Sequence, residues 1–106
     1  MLSFEDFKNV DLRVARILDV QEHPNADKLY LLRIDVGDEE KQIVAGVRAK
    51  YAKDELIGKK IVVVNNLEPV ELRGERSEGM LLAAGGEEGP VILVPHEDVP
   101  AGARIK

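Results

Sequence analysis

Of histidine, serine and threonine, this chain holds only His23, His96, Ser3 and Ser77, and it has no cysteine. Both histidines stand beside a proline, in His23-Pro24 and Pro95-His96, with most of the chain between them. A protein zinc site draws on three or four Cys, His or carboxylate ligands, so this pair makes a poor metal centre. Neither serine lies in a Gly-x-Ser-x-Gly elbow, and neither a phosphate-cradling glycine loop nor a dinucleotide fingerprint is present. His23 with Asp27 could orient an imidazole, but no nucleophile accompanies them. His23 therefore reads as a turn residue bonding within its own loop. The pattern points away from catalysis and calls for no cofactor.

Charge offers a different chemistry. The densest basic stretch is Arg48, Lys50, Lys53, Lys59 and Lys60, broken only by Asp54 and Glu55. Such a run could form a local basic face, even on a chain of formal charge −5. Screening over ~8 Å partly insulates it from distant carboxylates. The acidic balance lowers the expected affinity for a polyanion without excluding it. Aromatic platforms are scarce: Phe4, Phe7, Tyr30 and Tyr51. The phenylalanines read as core, so stacking on successive bases has little support, and any RNA contact should read backbone and shape.

These residues need a scaffold. Ser3 reads as the N-cap of one helical turn, with Phe4 and Phe7 on one face plugging the end of a core. Period-two alternation from Val10 to Val20 marks a long strand. The His23 to Asp27 segment is a loop, Leu29 to Val36 a strand, and Lys41 to Gly46 its hairpin partner. Lys50 to Leu56 reads as a short helix, and Ile61 to Val64 as a buried strand. Residues 65–79 form an elaborated connection, Met80 to Ala84 a strand, Gly85 to Pro90 a turn, and Val91 to Val94 a last strand. Pro95 and Pro100 leave the tail extended. The sum is an all-β domain with short helices over residues 1–106: a five-stranded Greek-key barrel of the OB-fold type, with the helix between its third and fourth strands.

Two stretches carry a resemblance. One is Asp11-Leu12-Arg13-Val14-Ala15-Arg16-Ile17, followed by His23-Pro24-Asn25-Ala26-Asp27-Lys28-Leu29-Tyr30. The other is Asn66-Leu67-Glu68-Pro69 through Leu72-Arg73-Gly74, then Ser77-Glu78-Gly79-Met80-Leu81-Leu82-Ala83-Ala84, with Ile43-Val44-Ala45-Gly46 between the two. Together they resemble the tRNA-binding domain shared by the C-terminal domain or β subunit of methionyl-tRNA synthetases, free-standing structure-specific tRNA-binding proteins and EMAP II-like cytokine precursors. The resemblance implies an OB fold, a homodimer, and recognition of folded tRNA with little sequence preference on behalf of a synthetase. By position it implies tRNA contacts at Asn25, Lys28, Ser77 and Met80, with Arg73 beside them. Arg48, Lys50 and Lys53 are further candidates from the basic stretch. This chain departs from the pattern in carrying Glu68 and Glu71 where relatives often carry lysines, and Glu75 and Glu78 flank Arg76 and Ser77 as well.

A secretion-chaperone family shares the barrel and the Asp-x-Arg-Val block but resembles this chain less over residues 23–30. It defines the alternative, a free-standing OB dimer that binds protein. The apolar residues Val91, Ile92, Leu93, Val94, Val99 and Ile105 exceed what a small barrel obviously needs. With the resemblance this makes residues 91–106 the expected dimer contact, the alternative being a tail that wraps its own barrel. No apolar run approaches the ~20 residues of a membrane span. With no signal peptide visible at the N-terminus, a cytoplasmic location is expected.

Overall fold

One strand organises the molecule. In the computed structural model, which describes all residues 1–106, β1 (Leu12–Glu22) runs for 11 residues and pairs on both sides. Its first half, from Leu12 to Arg16, lies antiparallel to β4 (Lys60–Val64). Its second half, from Arg16 to Glu22, lies antiparallel to β2 (Tyr30–Asp35), with a register shift between Ile17 and Asp19. A bulge at that point bends the strand, which lets a single strand serve two halves of a curved sheet.

β2 pairs in turn with β3 (Glu40–Ala45), and β4 with β7 (Met80–Leu81). The resulting order is β3-β2-β1-β4-β7, five antiparallel strands curled toward closure. This is an OB-like barrel. α2 (Lys53–Leu56) follows β3, as the sequence implies, but is shorter than the expected 50–56 because residues 46–50 form turns. Alternation aims Ala15, Ile17, Leu32, Ile34, Ile43, Ile61 and Val63 inward, each no more than 1% exposed. Burying each of the larger aliphatics contributes about 1.5–3 kcal/mol.

The seam between β3 and the segment leading into β7 is sewn differently. β5 (Val70–Leu72) and β6 (Glu75–Ser77) form a hairpin inside the stretch read as an irregular connection. The Val44 amide donates to Ser77 Oγ at 2.9 Å, and the Glu78 amide donates to the Gln42 carbonyl at 2.9 Å. Gln42 Nε2 donates to the Arg76 carbonyl at 2.9 Å. Side chains thus supply bonds that a regular ladder would take from backbone alone.

Several expectations shift. The strand expected over residues 80–84 divides at Leu82 into β7 and β8 (Ala83–Gly86), and β8 pairs with β9 (Gly89–Ile92) around the turn at Glu87 and Glu88. Val62 is half-buried within β4 rather than fully buried. Phe4 does not plug the core. It is 72% exposed on the single turn α1 (Phe4–Phe7), with the Lys8 ammonium 5.5 Å from its ring centroid, and Phe7 is half-buried. The two rings share a face and line one cleft with Val10 and Ile105, but nothing covers that cleft. The tail also folds back: the Val14 amide donates to Ala103 O at 2.9 Å and the Ile105 amide to Leu12 O at 2.9 Å. Val99 and Ile105 are consequently half-buried on their own barrel, whereas Val91, Leu93 and Val94 stay exposed.

Candidate nucleic-acid interface

The loop from β1 to β2 is short and tightly bonded. Its His23 amide donates to the Leu29 carbonyl at 3.1 Å, closing the turn. Pro24 and Asn25 point the chain outward, while the His23 ring turns in and is only 3% exposed. The Asn25 amide donates to His23 Nδ1 at 2.9 Å, and His23 Nε2 lies 2.9 Å from the Leu72 carbonyl. A backbone amide can only donate and a carbonyl can only accept. Both bonds therefore require the neutral ring carrying its proton on Nε2. The expected bond within the loop is present; the second, to the β5–β6 hairpin, had no signal in the sequence.

The hairpin turn is built around Arg73 and Gly74, with φ of 54° and 90°. Two successive positive φ values at the centre of a two-residue connection match a type I′ turn, whose twist suits antiparallel strands. Glycine adopts this geometry freely, whereas an arginine there carries a conformational cost of order 1 kcal/mol. Asn25 Nδ2 donates to the Arg73 carbonyl at 3.3 Å, a second tie between loop and turn. Lys28 and Arg73 are both exposed and line one depression with Ala26, Asp27 and Leu29. Two cations from sequence-distant segments thus share one concave surface beside one carboxylate.

Most of the basic stretch is engaged with neighbours of its own. Arg48 is held at the base of the loop: its Nη2 is 2.7 Å from Glu22 Oε2, and its Nη1 donates to the Ala26 carbonyl at 3.1 Å. Lys60 Nζ reaches Asp98 at 2.7 Å and the Val99 carbonyl at 2.6 Å, tethering the tail. The Lys50 ammonium lies 5.7 Å from the Tyr51 ring centroid. Lys53 is exposed, at 3.9 Å from Glu22.

In the second block, Ser77 is 3% exposed, and its hydroxyl donates to the Gly79 carbonyl at 3.0 Å while accepting from Val44. Both capacities serve the seam. Gly79 is small because a Cβ there would lie 2.9 Å from the Val64 carbonyl, which lets Met80 pair with Val64 and stand 47% exposed. Of the four carboxylates, Glu75 and Glu78 turn inward to Gln42, at 3.3 and 3.4 Å, while Glu68 and Glu71 face outward.

The densest charge network lies at the other end of β1. Arg13 Nε donates to both Asp11 carboxylate oxygens at 3.1 Å, and its Nη1 reaches Asp38 at 2.9 Å and the Val36 carbonyl at 3.1 Å. Asn65 Nδ2 donates to Asp11 at 3.0 Å, and Arg104 stands at 3.2 Å. The hydrogen bond from Arg13, aided by those of Asn65 and the charge of Arg104, holds the Asp11 carboxyl below the usual range against the opposing effect of burial. The Asp-x-Arg pattern is thus a bolt joining β1, the β2–β3 turn and the tail.

Comparison with known proteins identifies the family. A family model described as "Putative tRNA binding domain" matches residues 12–104. Methionine–tRNA ligase of Thermococcus onnurineus is 51% identical over 105 residues, covering 99% of this chain and 14% of that protein. The corresponding ligase of Methanococcus aeolicus is 48% identical over 105 residues, again 99% of this chain and 16% of the relative. The chain spans about one seventh of the length of these curated relatives. Among solved structures, a MetRS related protein from Pyrococcus horikoshii superposes with a TM-score of 0.92 at 33% identity, over 100% of this chain and 98% of that one. The CsaA chaperone protein from Picrophilus torridus gives 0.93 at 35% identity, with 100% of both chains covered. From the first barrel strand to the returning tail, this chain belongs to the tRNA binding domain family.

Proposed function

We propose that this chain is a tRNA-binding module that reads the folded RNA by shape and backbone charge and adds tRNA affinity to a methionyl-tRNA synthetase. It contributes no catalytic group of its own. The observation that carries the reading is the shared surface of Lys28 and Arg73, fixed by the loop and the type I′ turn with Asn25 between them. Lysine and arginine on a concave, non-aromatic surface suit phosphates rather than stacked bases. Arg48, Ser77 and Glu75 act behind this surface, holding loop and seam in place; Met80, Lys50 and Lys53 are outlying contacts.

The same reading includes a homodimer. β8 pairs only with β9, leaving its other edge open, and Val91, Leu93 and Val94 stand exposed nearby. Pairing such a surface across a two-fold axis would bury it and double the tRNA face. Sedimentation at micromolar concentration tests this, and a strictly monomeric chain overturns it.

The decisive experiment is binding of bulk folded tRNA at two salt concentrations, with heat-denatured tRNA and duplex DNA as competitors. Preferential, salt-weakened binding of folded tRNA is expected. Equal binding of all three nucleic acids reduces the site to a generic polyanion contact. Binding of unfolded polypeptide without tRNA binding would favour the second reading, a chaperone-like dimer, for which the similarity to the Picrophilus torridus protein is the supporting observation.

A further inference from the structure

We infer that His23 is the positioning residue of the tRNA site, joining two otherwise separate recognition elements into one rigid surface. The inference rests on the tRNA-binding reading above. Lys28 and Arg73 come from segments far apart in sequence, and β1–β2 and β5–β6 share no strand ladder. The ties between them are the His23 Nε2 bond to the Leu72 carbonyl at 2.9 Å and the exposed Asn25 bond to the Arg73 carbonyl at 3.3 Å. The former is part-buried and the shorter, so it is the more durable of the two.

The ring is itself over-determined. Its Nδ1 accepts from the Asn25 amide, which fixes the tautomer and aims Nε2–H at Leu72. Arg48 holds the same loop from beneath through Ala26 and Glu22. The base of the hairpin is held to β3 by Ser77 and Gln42. Without the ring, however, the hairpin's turn is tied to the loop only by the exposed Asn25 bond, and a phosphate pair spanning Lys28 and Arg73 would have to order the two on binding. Both side chains remain, but they no longer meet both phosphates at once, so affinity falls and one phosphate contact is lost. His23 touches no nucleic acid in this scheme; it acts through the two cations.

Two substitutions separate the ring's two bonds. In His23→Asn the side-chain oxygen takes the place of Nδ1, keeping the loop turn, but nothing reaches Leu72. In His23→Gln the terminal amide takes the place of Nε2–H, keeping the tie to Leu72. With the 106-residue chain, which carries its own barrel and core, His23→Asn is expected to bind folded tRNA about tenfold more weakly, with a salt slope lower by about 1. His23→Gln is expected to bind within about twofold of the native chain. In the His23→Asn background, Arg73→Ala should cost less than it does in the native chain, because the two cations no longer act together. A merely structural role would lower thermal stability in both variants and leave the salt slope of the folded protein unchanged; unchanged affinity and slope in His23→Asn overturns the inference. Should His23→Asn not fold, His23→Gln decides alone, native affinity supporting the tie and a tenfold loss overturning it. If the native chain itself ignores tRNA, the underlying function falls instead.

Discussion

The hydroxyl of Ser77 accepts a hydrogen bond from the Val44 amide at 2.9 Å, and this bond closes the barrel where no continuous ladder runs. Ser77→Ala leaves that amide without its partner in a part-buried seam. Unfolding in urea should show a loss of about 1–3 kcal/mol. The salt slope of tRNA binding should stay native while the variant is folded; a flattened slope would show that the hydroxyl also meets phosphate.

Lys28→Ala and Arg73→Ala should each weaken tRNA binding and lower the salt slope by about 1 for every phosphate left without its cation. Thermal stability should change little for Lys28→Ala, because its side chain is exposed. Native slopes in both variants would remove the depression from the binding site.

Arg73→Asn separates strain from charge. Asparagine accepts the left-handed conformation at φ 54° more readily than arginine, so melting temperature should hold or rise. tRNA affinity should fall regardless, since the guanidinium is gone. A variant that is both stable and fully active would leave the strained arginine without a purpose.

Asp11 links stability to pH. Its folded pKa lies below the ordinary 3.8, so the unfolded chain takes up a proton first as pH falls. The stabilisation is present above the unfolded value and is lost as pH drops through the folded one. Asp11→Asn should therefore cost on the order of 2 kcal/mol at pH 7 through the absence of charge-assisted bonds to Arg13. The gap to the native chain should narrow below pH 3.8. A gap constant from pH 7 to pH 2, followed by urea unfolding, would place the effect elsewhere.

Gly79→Ala puts a Cβ 2.9 Å from the Val64 carbonyl, a backbone atom that cannot swing aside. A loss of roughly 1–3 kcal/mol is expected on unfolding. An unchanged midpoint would mean that β7 can lift off β4 without penalty.

Much of the barrel was legible because its signals are local. Alternation from Val10 and the turn at Gly37 specify β1, β2 and β3 within a residue or two, and Ile61 to Val64 announces β4. The β5–β6 hairpin was missed because its turn places Arg73, not asparagine, at a positive φ, and its strands bury only Ser77. The phenylalanines misled because three-residue spacing promises a shared face but not a partner for it. At the site, Lys28 and Arg73 stand out by type and family pattern, and the depression that unites them depends on His23 reaching Leu72 across 49 positions. Arg48 and Ser77 read as surface contacts since nothing in a sequence separates a free polar group from one already bonded inside.

The length of β1 has a practical meaning. Phe4, Phe7, Arg104, Ile105 and Lys106 line one cleft near its Leu12 end, while the His23 loop follows Glu22 at the other. An 11-residue strand spans about 30 Å once its bend is allowed for. A dye, bead or fused partner attached at either terminus therefore sits a barrel's length from the loop, where it can report on tRNA arriving without standing in its path.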